Sequence, residues 1–148
     1  MSKLTLDQAS TIIDTALAKA REAGMQPLGI AVLDAGGHLL AFKRHENSSL
    51  LRPKVAMAKA SGVLNMGVGG RELVRRASVM PPLFFTALIE LSEGNMITLP
   101  GGVLIRDAEG DIIGSVGVSG DTSDNDELVA VAGIRAAGLI ADTGAPPQ

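Results

Sequence analysis

Two tight reversals, Asp34-Ala35-Gly36-Gly37 and Asp107-Ala108-Glu109-Gly110-Asp111, constrain this chain more than any other feature. Each is flanked by short apolar runs. Leu28 to Leu33 and His38 to Lys43 surround the first, and Gly101 to Arg106 and Ile112 to Val118 surround the second. So short a connection joins antiparallel neighbours only, because a parallel crossover needs a dozen or more residues. Asp and Gly supply the turn chemistry, Asp by bonding its own backbone and Gly by accepting left-handed conformations. Two hairpins are therefore expected, with Asn95 to Leu99 as an outer fifth strand.

The segments between them read as helices. Thr5-Leu6-Asp7-Gln8 fits a capping box, and Ala9, Ile12, Ile13, Ala16 and Leu17 follow at helical spacing, so the first helix is expected over Leu6 to Glu22. Pro53 to Asn65, Arg71 to Ala77 and Leu83 to Leu91 form a punctuated helical middle, broken at Gly67-Val68-Gly69-Gly70 and Pro81-Pro82. A last helix is expected from Asp124 to Ile140, its acidic first turn matching the helix dipole, with Gly144 to Gln148 as a frayed tail. Helices packed around one antiparallel sheet of about five strands make an α+β fold, not a dinucleotide-binding one.

At 148 residues, the whole chain (1–148) is expected to form one domain. With no cysteine, disulfides, thiolate nucleophiles and sulfur-ligated metals are excluded. Net charge is -3, the thirteen Lys and Arg are dispersed, and the only aromatic residues are three Phe. Neither a phosphate-backbone footprint nor a base-stacking surface is visible, so nucleic acid is not an expected partner. No apolar run approaches the roughly 20 residues that span a bilayer, so no membrane partner is expected either. The N-terminus lacks an apolar secretory segment, and a cytoplasmic location is expected.

Candidate chemistry is sparse. Gly36-Gly37 and Gly67 to Gly70 lack the spacing of phosphate-cradling loops and read as turns. His38 and His45 lie seven positions apart across a strand and fall on opposite faces, which argues against a shared metal; no metal site is expected. His45-Glu46 at the end of the second strand is the best acid–base pair, with a solvated loop pair as the alternative. Arg52, Lys54 and Lys59 approach along the next helix. Arg52 and Lys59, two turns apart, share a face that suits a ligand carboxylate or a salt-bridged stripe. Asp121, Asp124, Asp126 and Glu127 crowd the start of the last helix, as capping residues or as ligands of a hard cation. Met66, Met80 and Met96, near chain breaks, are candidate pocket liners.

The run Leu28 to Asp34 with Gly36-Gly37, then Lys54-Val55-Ala56-Met57-Ala58-Lys59-Ala60, then Pro100-Gly101-Gly102-Val103-Leu104-Ile105, and Gly110 to Gly120 leading to Asp126-Glu127 and Ala132-Gly133-Ile134, resembles the GlcG/HbpS family, also called the heme-degrading domain family. The resemblance spans nearly the whole chain in order. It implies a five-stranded antiparallel sheet flanked by helices in a profilin-like layout, self-association into a homo-oligomer, and binding of heme or a related tetrapyrrole as cofactor or ligand. Lys43-Arg44-His45-Glu46-Asn47 departs from the family's common Arg-Met-Asp-Gly-Ala at that point.

Three functions follow. In the first, the protein binds a small-molecule ligand, heme or a related tetrapyrrole, with His45 as axial ligand and Arg52 or Lys54 for the propionates. In the second, it is an enzyme acting on a small oxo- or hydroxy-acid, in which His45 and Glu46 move a proton and Pro100, Gly101 and Gly102 offer backbone N–H groups to an oxyanion. A structural or assembly subunit is the third. The apolar positions between Pro53 and Leu91 exceed what one face of a small sheet covers, so a partner copy is expected there, with Arg71, Arg75 and Arg76 at its rim.

Overall fold

The computed structural model describes residues 3–146. The chain runs α1 (Leu6–Glu22), β1 (Gly29–Asp34), β2 (Leu39–Arg44), α2 (Arg52–Met66), α3 (Gly70–Val79), α4 (Pro82–Leu91), β3 (Gly102–Arg106), β4 (Ile112–Ser119), α5 (Ser123–Ala136) and β5 (Ile140–Asp142). The strands form one antiparallel sheet in the order β2-β1-β4-β3-β5. Both hairpins form as their turns require. Asp34 accepts from the N–H groups of Gly36 and His38, and Asp107 from those of Glu109 and Asp111. The capping box at the start of α1 is reciprocal, Thr5 Oγ1 accepting from Gln8 N–H and Gln8 Oε1 from Thr5 N–H.

Two strand and helix boundaries differ from the sequence expectation. Residues 95–99 are not a strand; Met96 instead drops into the core beside Val63, Leu73 and Phe85. The fifth strand is β5, which the sequence reading joined to the last helix. That helix ends because Gly138 adopts φ +77° and Leu139 N–H turns back to the Ile134 carbonyl. The apolar pair Leu139-Ile140 does not by itself distinguish a helical turn from a short strand. Nor is the start of the expected frayed tail loose. Gly144 N–H donates to Asp142 Oδ1, and Arg71 N–H donates to the Thr143 carbonyl. Pro147 and Gln148 lie outside the described residues.

Period-two alternation divides the sheet between two cores. Ile30, Val32, Val103, Ile105, Val116 and Val118 face α1 and α5. The alternate residues, Gly102, Leu104, Ser115 and Gly117, face α2. Glycine here is a packing requirement. A Cβ on Gly117 would overlap the Ala56 carbonyl oxygen, and one on Gly102 would overlap that of Lys59. The α2 backbone thus lies directly on β3 and β4, and Ser115 Oγ donates to the Ala60 carbonyl at 2.7 Å.

Over this floor runs the side chain of Lys59, only 3% exposed. Its ammonium donates to the Val118 carbonyl at 2.8 Å and to Asp126 Oδ2 at 3.1 Å. The other Asp126 oxygen accepts from Asp121 N–H. Burial pushes the Lys59 ammonium down and the Asp126 carboxyl up from their ordinary ranges, and each partner opposes the other's shift. The pair ties α2, β4 and the start of α5 together.

Gly117→Ala, which forces α2 off the sheet, is expected to lower stability by roughly 2–4 kcal/mol in a urea titration. Lys59→Ala leaves Asp126 buried without its counter-charge and is expected to cost about 3–5 kcal/mol, whereas Lys59→Met with Asp126→Asn restores most of that loss. A double variant no more stable than Lys59→Ala would show that the charges themselves stabilise the fold.

Candidate functional site

The edge strand β2 supplies one wall of each of two clefts. The register between β1 and β2 slips at Val32/Leu33: Val32 faces Ala41, but Leu33 faces Leu39. Leu40 is the extra residue of a bulge, and so Leu39 and Phe42, three apart, come to the same side. With Pro53, Lys54 and Met57 of α2 and Glu93-Gly94-Asn95 after α4, they line a cleft of about 670 Å³. Lys54 and Met57 share a helix face at i,i+3. Glu93, at φ +57°, holds a left-handed conformation uncommon for a residue with a long side chain. Beyond Met57 and Asn95, a more polar hollow continues toward Gly36, Gly37, Ser61, Asn65 and Ser92.

The second cleft, about 540 Å³, opens on the α1 side of the sheet, lined by Asp14, Leu17, Arg21, Lys43, Arg44, His45 and Glu46. Lys43 pairs with Asp14 at 2.9 Å. His45 is fixed by its backbone and its ring together: His45 N–H donates to the Leu28 carbonyl at 2.8 Å, and Leu28 N–H donates to His45 Nδ1 at 2.9 Å. A backbone N–H can only donate, so Nδ1 is the acceptor and the neutral ring carries its proton on Nε2. That Nε2 is buried without a hydrogen-bond partner among the described residues.

The sequence-derived site residues therefore do not form one constellation. His45 and Glu46 line the α1-side cleft and Lys54 the apolar cleft. Arg52 donates to Ser119 Oγ, and Lys59 points inward to Asp126, so the face they share on α2 is turned to the sheet. Gly101, at φ +108°, lies beneath the Lys59 ammonium, and its carbonyl accepts from Val118 N–H; Gly102 is covered by α2 and Pro100 precedes them in the turn. The carboxylates at the start of α5 have separate partners. Asp126 meets Lys59, Asp124 and Glu127 meet Arg71, and Asp121 accepts from the N–H groups of Gln26 and Thr122. Among the described residues no three His, Asp or Glu side chains converge to hold a metal ion. Arg75 and Arg76, expected at an interface rim, pair with Glu72 of their own helix.

Of the methionines, Met66 and Met96 border only a hollow of about 220 Å³, and Met57 is the one at the large cleft. Sequence reasoning missed it, along with Phe42 and Asn95. The i,i+3 spacing from Lys54 was a usable signal for Met57. Phe42 reaches the cleft by ordinary strand alternation opposite Ala31, whereas the place of Leu39 beside it depends on the bulge, for which the sequence carries no comparable signal.

Known proteins resemble this arrangement throughout. The solved structure of a PduOC:heme complex superposes with a TM-score of 0.83 at 22% identity, over 94% of this chain and 98% of that one. The structure of HbpS gives a TM-score of 0.76 at 25% identity, covering 91% and 90%. An uncharacterized 15.0 kDa protein from the dhaT-dhaS intergenic region of Citrobacter freundii is 29% identical over 130 residues, 88% of this chain and 89% of its own length. The family described as haem degrading protein HbpS-like matches residues 4–135. Its five-stranded antiparallel α+β architecture is the one built here from the two hairpins and the glycine floor, and the chain belongs to the HbpS-like family.

Proposed function

We propose that this protein binds heme or a closely related tetrapyrrole in the cleft between β2, α2 and the 93–95 turn. The observation that carries this reading is the cleft itself. At about 670 Å³ it lies within the ~300–1,000 Å³ range of small-molecule sites, and its walls are Leu39, Phe42, Pro53 and Met57, with the Lys54 ammonium, Glu93, Gly94 and Asn95 completing them. A porphyrin asks for flat apolar contact, a cation for its propionates and a donor atom for iron. Phe42 and Leu39 answer the first, Lys54 the second and the Met57 thioether the third. Bound heme supplies a redox-active iron; the residues around it hold it, orient it and exclude water. Heme in the PduOC complex and membership of the HbpS-like family support the same reading.

His45 fits the axial role less well. Ligation through Nε2 needs the proton moved to Nδ1, which the Leu28 N–H already occupies. Titration of hemin into the protein is expected to shift the Soret band. Lys54→Ala is expected to weaken binding roughly 5–10-fold, about the loss of one charge-assisted hydrogen bond, and Met57→Ala to move the band position while His45→Ala leaves it in place. Absence of any Soret shift removes the reading.

We further propose that a second copy of the chain covers the outer helical surface. Leu83 and Leu91 of α4 are each 79% exposed, and Val79 and Phe84 next to them in the chain also stand open, apolar surface that a second copy would cover. Isologous pairing is the commonest closed arrangement. Light scattering at micromolar concentration is expected to give a homo-oligomer, and Leu83→Glu to lower its mass; a monodisperse monomer refutes this.

A further inference from the structure

We infer that the α1-side cleft is a second binding site, for a small organic anion that joins a carboxylate to a hydroxyl group. It faces the opposite side of the sheet from the apolar cleft and shares no lining residue with it. Three cations and two carboxylates line it. Lys43 and Asp14 neutralise each other, which leaves Arg21 and Arg44 against Glu46. Neither Arg21 nor Glu46 has an ion-pair partner among the described residues, and Arg44 reaches only the His45 carbonyl, at 3.3 Å.

The surplus of one positive charge, presented as guanidinium forks, selects a monoanionic carboxylate over a more highly charged anion. Glu46 accepts hydrogen bonds only, so a ligand donor, such as a hydroxyl, completes it. The third observation is the orphaned Nε2–H of His45. Leu28 N–H fixes the tautomer, and a buried donor without an acceptor costs stability until an oxygen reaches it. Arg44 and Glu46, both exposed, flank His45 where it lines the cleft. A single 2-hydroxy acid meets all three requirements: carboxylate to Arg21 and Arg44, hydroxyl proton to Glu46, and an oxygen to His45 Nε2–H. The inference concerns binding; it is independent of the tetrapyrrole reading.

Lactate, propionate and inorganic phosphate, titrated separately into the full chain with calorimetry and the His45 ring signals in proton–nitrogen spectra as readouts, test it. Lactate is expected to saturate and to perturb His45. Propionate, which lacks the hydroxyl, is expected to bind about 5–10-fold more weakly, and phosphate more weakly than lactate. Arg21→Gln is expected to weaken lactate at least ~10-fold, while Arg75→Gln, the same charge loss on α3, leaves it unchanged. His45→Phe, checked for a folded spectrum, is expected to lose binding that His45→Gln partly keeps. No saturable binding, equal loss in the Arg21 and Arg75 variants, or equal affinity for all three anions would each overturn the inference. Soret titration in the presence of lactate separates its failure from that of the heme reading.

Discussion

Everything in this molecule depends on how closely α2 approaches the sheet. With Gly102 and Gly117 beneath it, the helix backbone rests where side chains would normally hold it off. That contact leaves no room for solvent around Lys59, whose only exit from an apolar floor is along Gly101 to the Val118 carbonyl and Asp126. The ion pair is thus a consequence of the close approach, and it in turn sets where α5 begins. The position of Lys54 and Met57 above β2 follows from the same placement.

Strand β2 shows how one edge can serve two faces. Lys43, opposite Ile30, points with it toward α1; Phe42, opposite Ala31, points toward α2. A regular strand would send Leu40 with Phe42. The bulge replaces Leu40 by Leu39 on that side and turns Leu40 toward the α1–α5 core, where it packs. One inserted residue therefore separates an apolar cleft from a charged one without any other element changing course.

Much of the fold was legible because local chemistry and global arrangement agree: the Thr5–Gln8 box, the Asp-Gly turns and the Pro and Gly breaks each mark a boundary that the structure keeps. The count of about five strands was legible too, although the fifth was placed at residues 95–99 instead of at β5. Residues 95–99 misled because an apolar run that fills a core between elements has the same composition as a strand. The sites were far less legible. Lys59 looks, by charge and spacing, like a partner of Arg52 on a solvent face, and only the absence of side chains at Gly101, Gly102 and Gly117, remote in sequence, reveals that this face is buried. His45 is named by its residue type, but its tautomer is set by Leu28, seventeen positions away.

The strand order carries a consequence for how the chain reaches this state. Both hairpins close locally, yet the centre of the sheet joins β1 to β4, from opposite ends of the chain, with all of α2, α3 and α4 in the loop between. Closing so long a loop is entropically unfavourable before any contact compensates, which places this protein among the slower folders for its size. Until β1 meets β4 the hairpins present unpaired edges, and α2 has no complete floor. The pairing of β1 with β4 is thus the long-range contact on which completion of the sheet and of the floor under α2 depends, while β5 adds only three residues at the rim.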